Sequence, residues 1–159
     1  MAAAPQIDLA FLLNQTSYAL ATRMAAELSG LGITPRIYCV LMKAEPGGLT
    51  QNQIAEQAAL DKTTMVVTLD EMERAGLAER RASDTDRRAR IVAVTPAGRK
   101  VLTKAHTIVN RIYDDVLGSV PARDRAGFLS GLTALAGGTL AEPSHLTHPV
   151  RRRAPRVPA

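Results

Sequence analysis

Two helix starts stand only eleven positions apart in the middle of the chain, and this spacing constrains the fold more than any other feature. Thr50 and Gln53 have the spacing of a capping box, in which the hydroxyl and the amide side chain each bind the other residue's backbone N–H. Asp61 provides a second N-cap. The interval has room for one short helix and a turn, so we expect a helix to about Ala58 and another from Asp61 to Gly76.

Two further helices are predicted before this pair. The stretch from Ile7 to Ser29 contains neither proline nor glycine and repeats leucine and methionine close to helical spacing, which predicts a long first helix. Thr34 followed by Pro35 is typical of a helix start, with threonine as the N-cap and proline at the first helical position. The second helix should run to about Lys43.

A small β-hairpin is predicted after the closely spaced pair. Residues 78–81 and 90–94 are short extended runs, and the second alternates with Ile91 and Ala93 on one side. The chain is therefore mainly α with a small β-hairpin, in the order of a winged helix-turn-helix. The helix from Asp61 would enter a DNA major groove, because a helix of roughly 10 to 12 Å matches a groove of about 12 Å.

Two long helices should complete the fold. Thr95 and Pro96 start a fifth helix that runs to about Leu117, and a sixth begins near Pro121 and is ended by Gly137 and Gly138. The fifth helix carries a predicted apolar stripe at Val101, Ala105, Ile108, Ile112 and Val116. The sixth carries Phe128, Leu132 and Leu135. These apolar faces exceed what a small core can cover, which predicts a twofold dimer and a pseudo-palindromic DNA target.

The segment LTQNQIAEQAALDKTTMVVTLDEMERAGLAERRASDTDRRARIVAVTPAG resembles the core of the MarR (multiple antibiotic resistance regulator) family. The resemblance includes the DxR pattern at Asp86 and Arg88 and the TPxG opening of the next helix, and LGITPRIYCVLM is similar to the family's second helix. It spans roughly residues 6–137 and implies a homodimeric winged-helix transcription regulator. The implied domain covers 1–142, with a DNA-binding lobe at about 34–95, dimerisation helices at about 6–29 and 96–137, and a ligand pocket between interface and lobes.

The helix from Asp61, called the recognition helix below, supplies the predicted base contacts. Lys62, Thr63 and Thr64 lie in its first turn, where side chains point at base edges and the helix N-terminus favours phosphate. In the family the positions of Val66 and Val67 are often threonine and arginine, and valine can instead touch a thymine methyl group. Met65, Leu69 and Met72 share the opposite, core-facing side.

The hairpin tip is the second predicted DNA contact. A charge run alone is usually a solvated surface, but arginines on a narrow tip suit the negative potential of a minor groove. The resemblance implies that Asp86 supports the wing and that Arg88 approaches the groove, with Arg87 as a second candidate. Phosphate neighbours or strand-face charges are predicted at Arg80, Arg81 and Arg90.

Bulk charge adds little to this prediction. The net charge is +5, yet residues 1–142 carry 16 basic and 15 acidic groups, so four of the five excess positive charges come from the Arg-rich tail at 143–159. We expect that tail to be disordered, either adding nonspecific phosphate affinity or only solubility. No apolar run reaches the roughly 20 residues needed to span a bilayer, and no leader pattern is present, which predicts a soluble, cytoplasmic protein without membrane contact.

Ligand sensing has weaker sequence support. A pocket could be lined by Tyr18, Tyr38, Cys39 and His106, although each also fits ordinary core or surface. Cys39 is predicted as an inert buried thiol, with a redox-responsive regulator as the alternative. His145 and His148 lack a nearby Cys or carboxylate cluster, so no metal site is predicted. The sequence also has no Gly-rich phosphate loop, no nucleophile and base pair and no clustered catalytic acids, so no cofactor or enzyme activity is predicted. We expect a ligand-responsive repressor, for which the family resemblance implies an aromatic or phenolic effector, with a winged-helix protein-interaction module as the competing class.

Overall fold

A computed structural model describes residues 7–83 and 90–141. Along these residues the elements follow the predicted order of a winged helix-turn-helix. They are α1 (Leu9–Leu28), a 3₁₀ turn (Ser29–Leu31), α2 (Pro35–Ala44), α3 (Gln51–Gln57), α4 (Lys62–Arg74), β1 (Ala78–Ala82), β2 (Arg90–Val94), α5 (Pro96–Gly118) and α6 (Ala122–Gly137).

The chain divides into two compact units, Met1–Asp115 and Val116–Ala159. The first unit holds α1 to β2 and most of α5, including the whole predicted DNA-binding lobe. The second holds the end of α5 and α6. The predicted tail at 143–159 lies outside the described residues.

Local hydrogen bonds fix the predicted helix starts. The Thr34 hydroxyl accepts from the Ile37 N–H at 3.1 Å and begins α2. The capping box of α3 is confirmed, because the Thr50 N–H donates to the Gln53 side chain at 2.8 Å and the Gln53 N–H to the Thr50 hydroxyl at 3.4 Å. Both helices therefore start where side-chain acceptors satisfy N–H groups that have no partner inside the helix.

The core of the first unit is aliphatic and takes residues from every element between the end of α1 and α5. On α4, Met65, Leu69 and Met72 are fully buried, which confirms the predicted core face. Thr68 is buried beside them, and its hydroxyl donates to the Thr64 carbonyl at 2.7 Å. This polar group is satisfied within its own helix and leaves the core apolar.

The hairpin is antiparallel, with Ala78 opposite Val94 and Ala82 opposite Arg90. Val92 and Val94 are buried, while the side that carries Ile91 and Ala93 is half-buried. The outer edge of β2 is also paired, because the Val92 N–H donates to the Leu49 carbonyl at 3.0 Å. The base of the wing is thereby tied to the segment that leads into α3.

The predicted apolar stripe of α5 lies on the side that packs toward the core, but the most deeply buried positions are shifted by one residue at two points. The buried residues of this helix are Gly98, Leu102, Ala105, Val109 and Ile112. Three of the predicted positions, Val101, Ile108 and Val116, are only half-buried. Apolar residues occupy adjacent positions at 101 and 102 and again at 108 and 109, so helical spacing fits both phases and packing alone selects one.

The second unit contains α6, as predicted. The Arg125 guanidinium donates to the Val120 carbonyl at 2.8 Å and fixes the turn that precedes the helix. Within Ala122–Gly137 no residue is buried, and Phe128, Leu129 and Leu132 are exposed. Isolated helices are marginal in water, and a helix with an exposed apolar face of this kind normally gains stability by packing that face.

Candidate nucleic-acid interface

Asp61 caps α4 and carries a negative charge at the N-terminus of this helix. One carboxylate oxygen accepts from the Thr64 N–H at 2.9 Å and the other from the Thr64 hydroxyl at 2.5 Å. The hydroxyl bond, followed by the backbone N–H bond, holds the pKa of Asp61 below its usual range. Because the Thr64 hydroxyl donates its hydrogen bond to Asp61, it can only accept a hydrogen bond from an outside group. The amino groups of adenine and cytosine are such donors.

The outer face of α4 presents the residues predicted to contact DNA. Lys62 and Thr63 are exposed in the first turn. Val66 and Val67 follow one turn later and are 41% and 46% exposed, although the helix buries its own core face completely. Two exposed β-branched apolar side chains next to a helix N-terminus form a small apolar surface, which suits contact with thymine methyl groups.

The C-terminal half of α4 is acidic, and arginines from other elements pair with it. Arg80, on β1, donates to Asp70 at 2.8 Å, to Glu73, and to the Gln51 side chain at 3.4 Å. Sequence reasoning placed Arg80 among phosphate neighbours or strand-face charges. The structure places it on the strand face as a bridge between β1, α3 and α4.

The junction between α4, β1 and α5 explains the TPxG pattern. The Thr95 hydroxyl donates to the Gly76 carbonyl at 2.6 Å and accepts from the Gly98 N–H at 2.9 Å. The Thr95 N–H donates to the Leu77 carbonyl at 3.0 Å. A β carbon on Gly98 would lie 2.0 Å from that same carbonyl oxygen, so only glycine allows α5 to start this close to Leu77.

The tip of the wing lies outside the described residues. Asp86, Arg87 and Arg88 fall in this gap, and their roles remain predictions. At the base of the hairpin, Arg81 is exposed and pairs with Glu79 on its own strand. Ala82 and Arg90 form the last register pair of the hairpin before this gap.

The residues predicted for ligand sensing are partly brought together. The Tyr38 and His106 rings meet edge to face, with centroids 5.5 Å apart at 86°. Tyr38 is buried, and this burial raises the pKa of its phenol. Cys39 is half-buried, rather than buried as predicted, and Tyr18 is 67% exposed on α1.

An open cavity of about 370 Å³ adjoins His106. Its lining comes from the end of α2 and the first half of α5. The lining residues are Met42, Glu45, Arg99, Leu102, Thr103 and His106. Of these lining residues, the sequence predicts only His106 as part of a ligand pocket. The other five come together only when α2 packs beside α5.

Metal sites and membrane-spanning helices are the remaining features of residues 7–83 and 90–141 that bear on function. No group of three or more His, Cys, Asp or Glu side chains could hold a metal ion there, and His145 and His148 fall beyond this part of the chain. Over the same residues, no helix is both long and apolar enough to cross a bilayer.

A capped helix pair with an exposed first turn, followed by a two-stranded wing, defines a winged-helix DNA-binding protein. The MarR family model matches residues 31–89, which cover α2 to β1 and the segment between the strands. The chain belongs to the MarR family of DNA-binding transcription regulators.

Individual relatives agree with this assignment. An HTH-type transcriptional repressor of Mycobacterium bovis is 29% identical over 129 residues, which cover 80% of this chain and 93% of the relative. The structure of CouR from Rhodococcus jostii bound to p-coumaroyl-CoA superposes with a TM-score of 0.75 at 25% identity, covering 91% of this chain and 99% of CouR. The transcriptional repressor CouR bound to a 23-mer DNA duplex gives a TM-score of 0.72 at 28% identity, covering 80% and 92%.

Proposed function

We propose that this protein is a ligand-responsive repressor that binds a pseudo-palindromic operator as a homodimer. The exposed outer face of α4 carries this proposal, because Lys62, Thr63, Val66 and Val67 stand free of the core on a helix whose other side is fully buried. The similarity to a mycobacterial repressor and to CouR on DNA supports the direction of regulation.

The base contacts are divided between helix and wing. Lys62 and Thr63 offer donors at the helix N-terminus, Thr64 offers an acceptor, and the two valines offer methyl groups. In the wing, Arg88 enters the minor groove with Arg87 beside it, and Asp86 supports the turn; these three roles come from the family resemblance. The basic tail adds phosphate contacts without sequence preference.

Homodimer formation is supported by the exposed apolar side chains at both ends of the described chain. On α1 and just before it they are Ile7, Leu9, Phe11, Leu12 and Tyr18, and on α6 they are Phe128, Leu129 and Leu132. Apolar surfaces of this extent normally lie in an interface. A twofold axis would place two α4 helices on half-sites about 34–36 Å apart, which is one turn of DNA.

An aromatic or phenolic effector is the proposed ligand. CouR binds p-coumaroyl-CoA, a phenolic acyl thioester. In this chain, Tyr38 and His106 form an aromatic pair beside a cavity that contains Arg99, whose cation suits an acidic or phosphorylated group. A ligand that prefers one spacing of the DNA-binding lobes would shift the dimer toward that spacing.

Operator binding tests the proposal. The full chain is titrated against a duplex from its own upstream region and against a random duplex of equal length, by fluorescence anisotropy over a salt series. We expect roughly a thousandfold preference for the upstream duplex. Equal affinity for the two duplexes would contradict sequence-specific repression and reduce the protein to a nonspecific basic binder, whereas binding to neither duplex would favour the protein-interaction module.

Two variants assign the contact surface. Val67→Ala should weaken operator binding by about 1–2 kcal/mol through lost apolar contact, with little change on the random duplex. Lys62→Ala should weaken binding to both duplexes and lower the salt slope by about 1. Arg123→Ala, on the exposed first turn of α6, is the control and should change neither measurement.

A further inference from the structure

Arg80 lies on β1, at the base of the wing, and has a role that differs from the role predicted for Arg87 and Arg88 at the wing tip. The geometry points to Arg80 as a positioning residue for DNA binding: it neutralises Asp70 and Glu73 on the recognition helix and fixes α4 to β1, without itself contacting DNA. This inference rests on the proposed function, because it assumes that the outer face of α4 lies on DNA.

The guanidinium of Arg80 is already engaged within the protein. Nε donates to Gln51, Nη1 to Glu73 and Nη2 to Asp70, so each of its three nitrogens has a partner. The second carboxylate oxygen of Glu73 accepts from the Arg80 backbone N–H at 2.8 Å. This pairing holds the side chain, its strand and the helix together, and only arginine has the planar fork that it requires.

The acids that Arg80 neutralises lie close to the proposed DNA surface. Asp70 follows Val66 and Val67 by four and three positions, so it continues the same helix face by one turn. Its side chain is 49% exposed, so the carboxylate group is accessible to solvent although it is paired with Arg80. An unpaired carboxylate within a Debye length of about 8 Å of phosphates would oppose DNA binding.

The pairing is selective for Arg80. Arg81, its neighbour on β1, has a side chain that is 64% exposed and pairs with Glu79 on the same strand. That contact joins no other element and faces away from α4's acids, since successive strand residues point to opposite sides. Arg81→Gln is therefore a matched control with the same change of charge.

Substitutions that replace charged side chains by neutral amides test whether Arg80 acts by neutralising Asp70 and Glu73. The full-length protein is prepared as Arg80→Gln, as Asp70→Asn with Glu73→Gln, and with all three changes, and each is titrated against the operator duplex over a salt series. Arg80→Gln should weaken operator binding by about tenfold or more, because it leaves two carboxylates without a counter-charge beside the DNA. The triple variant should recover to within about threefold of wild type, with the salt slope of wild type.

The opposite pattern identifies a direct contact. If the triple variant binds as weakly as Arg80→Gln and its salt slope falls by about 1, Arg80 contacts a phosphate and the inference is overturned. An Arg80→Gln protein that binds like wild type, or like Arg81→Gln with an equal loss, also overturns it. Circular dichroism checks folding, and if Arg80→Gln does not fold, Arg80→Met, which also removes the charge, takes its place with the same requirement for rescue by the two acid substitutions.

Failure of this inference is separable from failure of the proposed function. A wild-type protein without operator preference would overturn the function itself. Intact operator preference in the wild type, together with a loss in Arg80→Gln that the acid substitutions do not rescue, would overturn only the role of Arg80.

Discussion

At the scale of single residues, Asp61 links the stability of α4 to its electrostatics. The carboxylate caps the helix and accepts two hydrogen bonds from Thr64, and both bonds favour its ionised form. A negative charge here also interacts favourably with the helix dipole. The residue that starts the recognition helix therefore also orders the hydroxyl of one predicted base contact.

The lowered pKa of Asp61 predicts a pH-dependent contribution to stability. The folded-state pKa lies below the unfolded value, so the contribution is fully present above about pH 4 and is lost as pH falls through the folded-state pKa. Asp61→Asn retains a capping side chain but cannot titrate. In thermal melts between pH 3 and pH 6, we expect the stability advantage of wild type over Asp61→Asn to shrink as the solution becomes more acidic.

A second substitution identifies the cause of this effect. Thr64→Val removes the hydroxyl that contributes most to the lowered pKa of Asp61. In that background the pH dependence of the difference between aspartate and asparagine should become flatter. A difference that stays constant across the whole pH range in both backgrounds would contradict the role given to Asp61.

At the scale of elements, the junction around Thr95 joins three of them at one point. Its side chain and backbone N–H hold the end of α4, the start of β1 and the first turn of α5. Gly98 allows the contact, because the Leu77 carbonyl oxygen occupies the space of a β carbon. The position of the recognition helix relative to α5 depends on this packing.

Gly98→Ala should destabilise the protein. The new methyl group would meet backbone atoms that have no flexible side chain to move, and overpacking of this kind costs about 1–3 kcal/mol. Gly118→Ala, in the same helix but with open space at the β carbon, is the control and should stay within about 0.5 kcal/mol of wild type. Urea unfolding of both variants measures the difference, and equal midpoints would show that the close contact does not constrain α5.

Helix starts were predictable because their hydrogen bonds span only three residues. Thr34, Thr50 and Asp61 cap the helices that their local patterns predicted. The partners of Arg80 lie 7, 10 and 29 positions away, and no local pattern relates them. The exact buried positions of α5 were not predictable for a similar reason, since packing against distant elements buries Leu102 and Val109 more deeply than the neighbouring Val101 and Ile108.

At the scale of the whole molecule, the exposed apolar face of α6 allows the proposed homodimer to be tested. Phe128→Asp places a charge on this face, so we expect the dimer to dissociate because burying an unpaired carboxylate is costly. Sedimentation velocity should show a monomer, and operator affinity should fall to that of the random duplex. Arg123→Ala should remain dimeric, and a dimeric Phe128→Asp protein would exclude this face from the interface.

The Thr95 junction also fixes the first turn of α5 to the DNA-binding lobe. At 1.5 Å per residue, the 23 residues of α5 extend about 35 Å from that point. A tilt of about 5° there displaces the far end by about 3 Å, and a symmetric partner would double the change in separation. Because the Thr95 hydroxyl also binds Gly76 just beyond α4, a tilt of α5 that keeps this bond would turn the recognition helix with it.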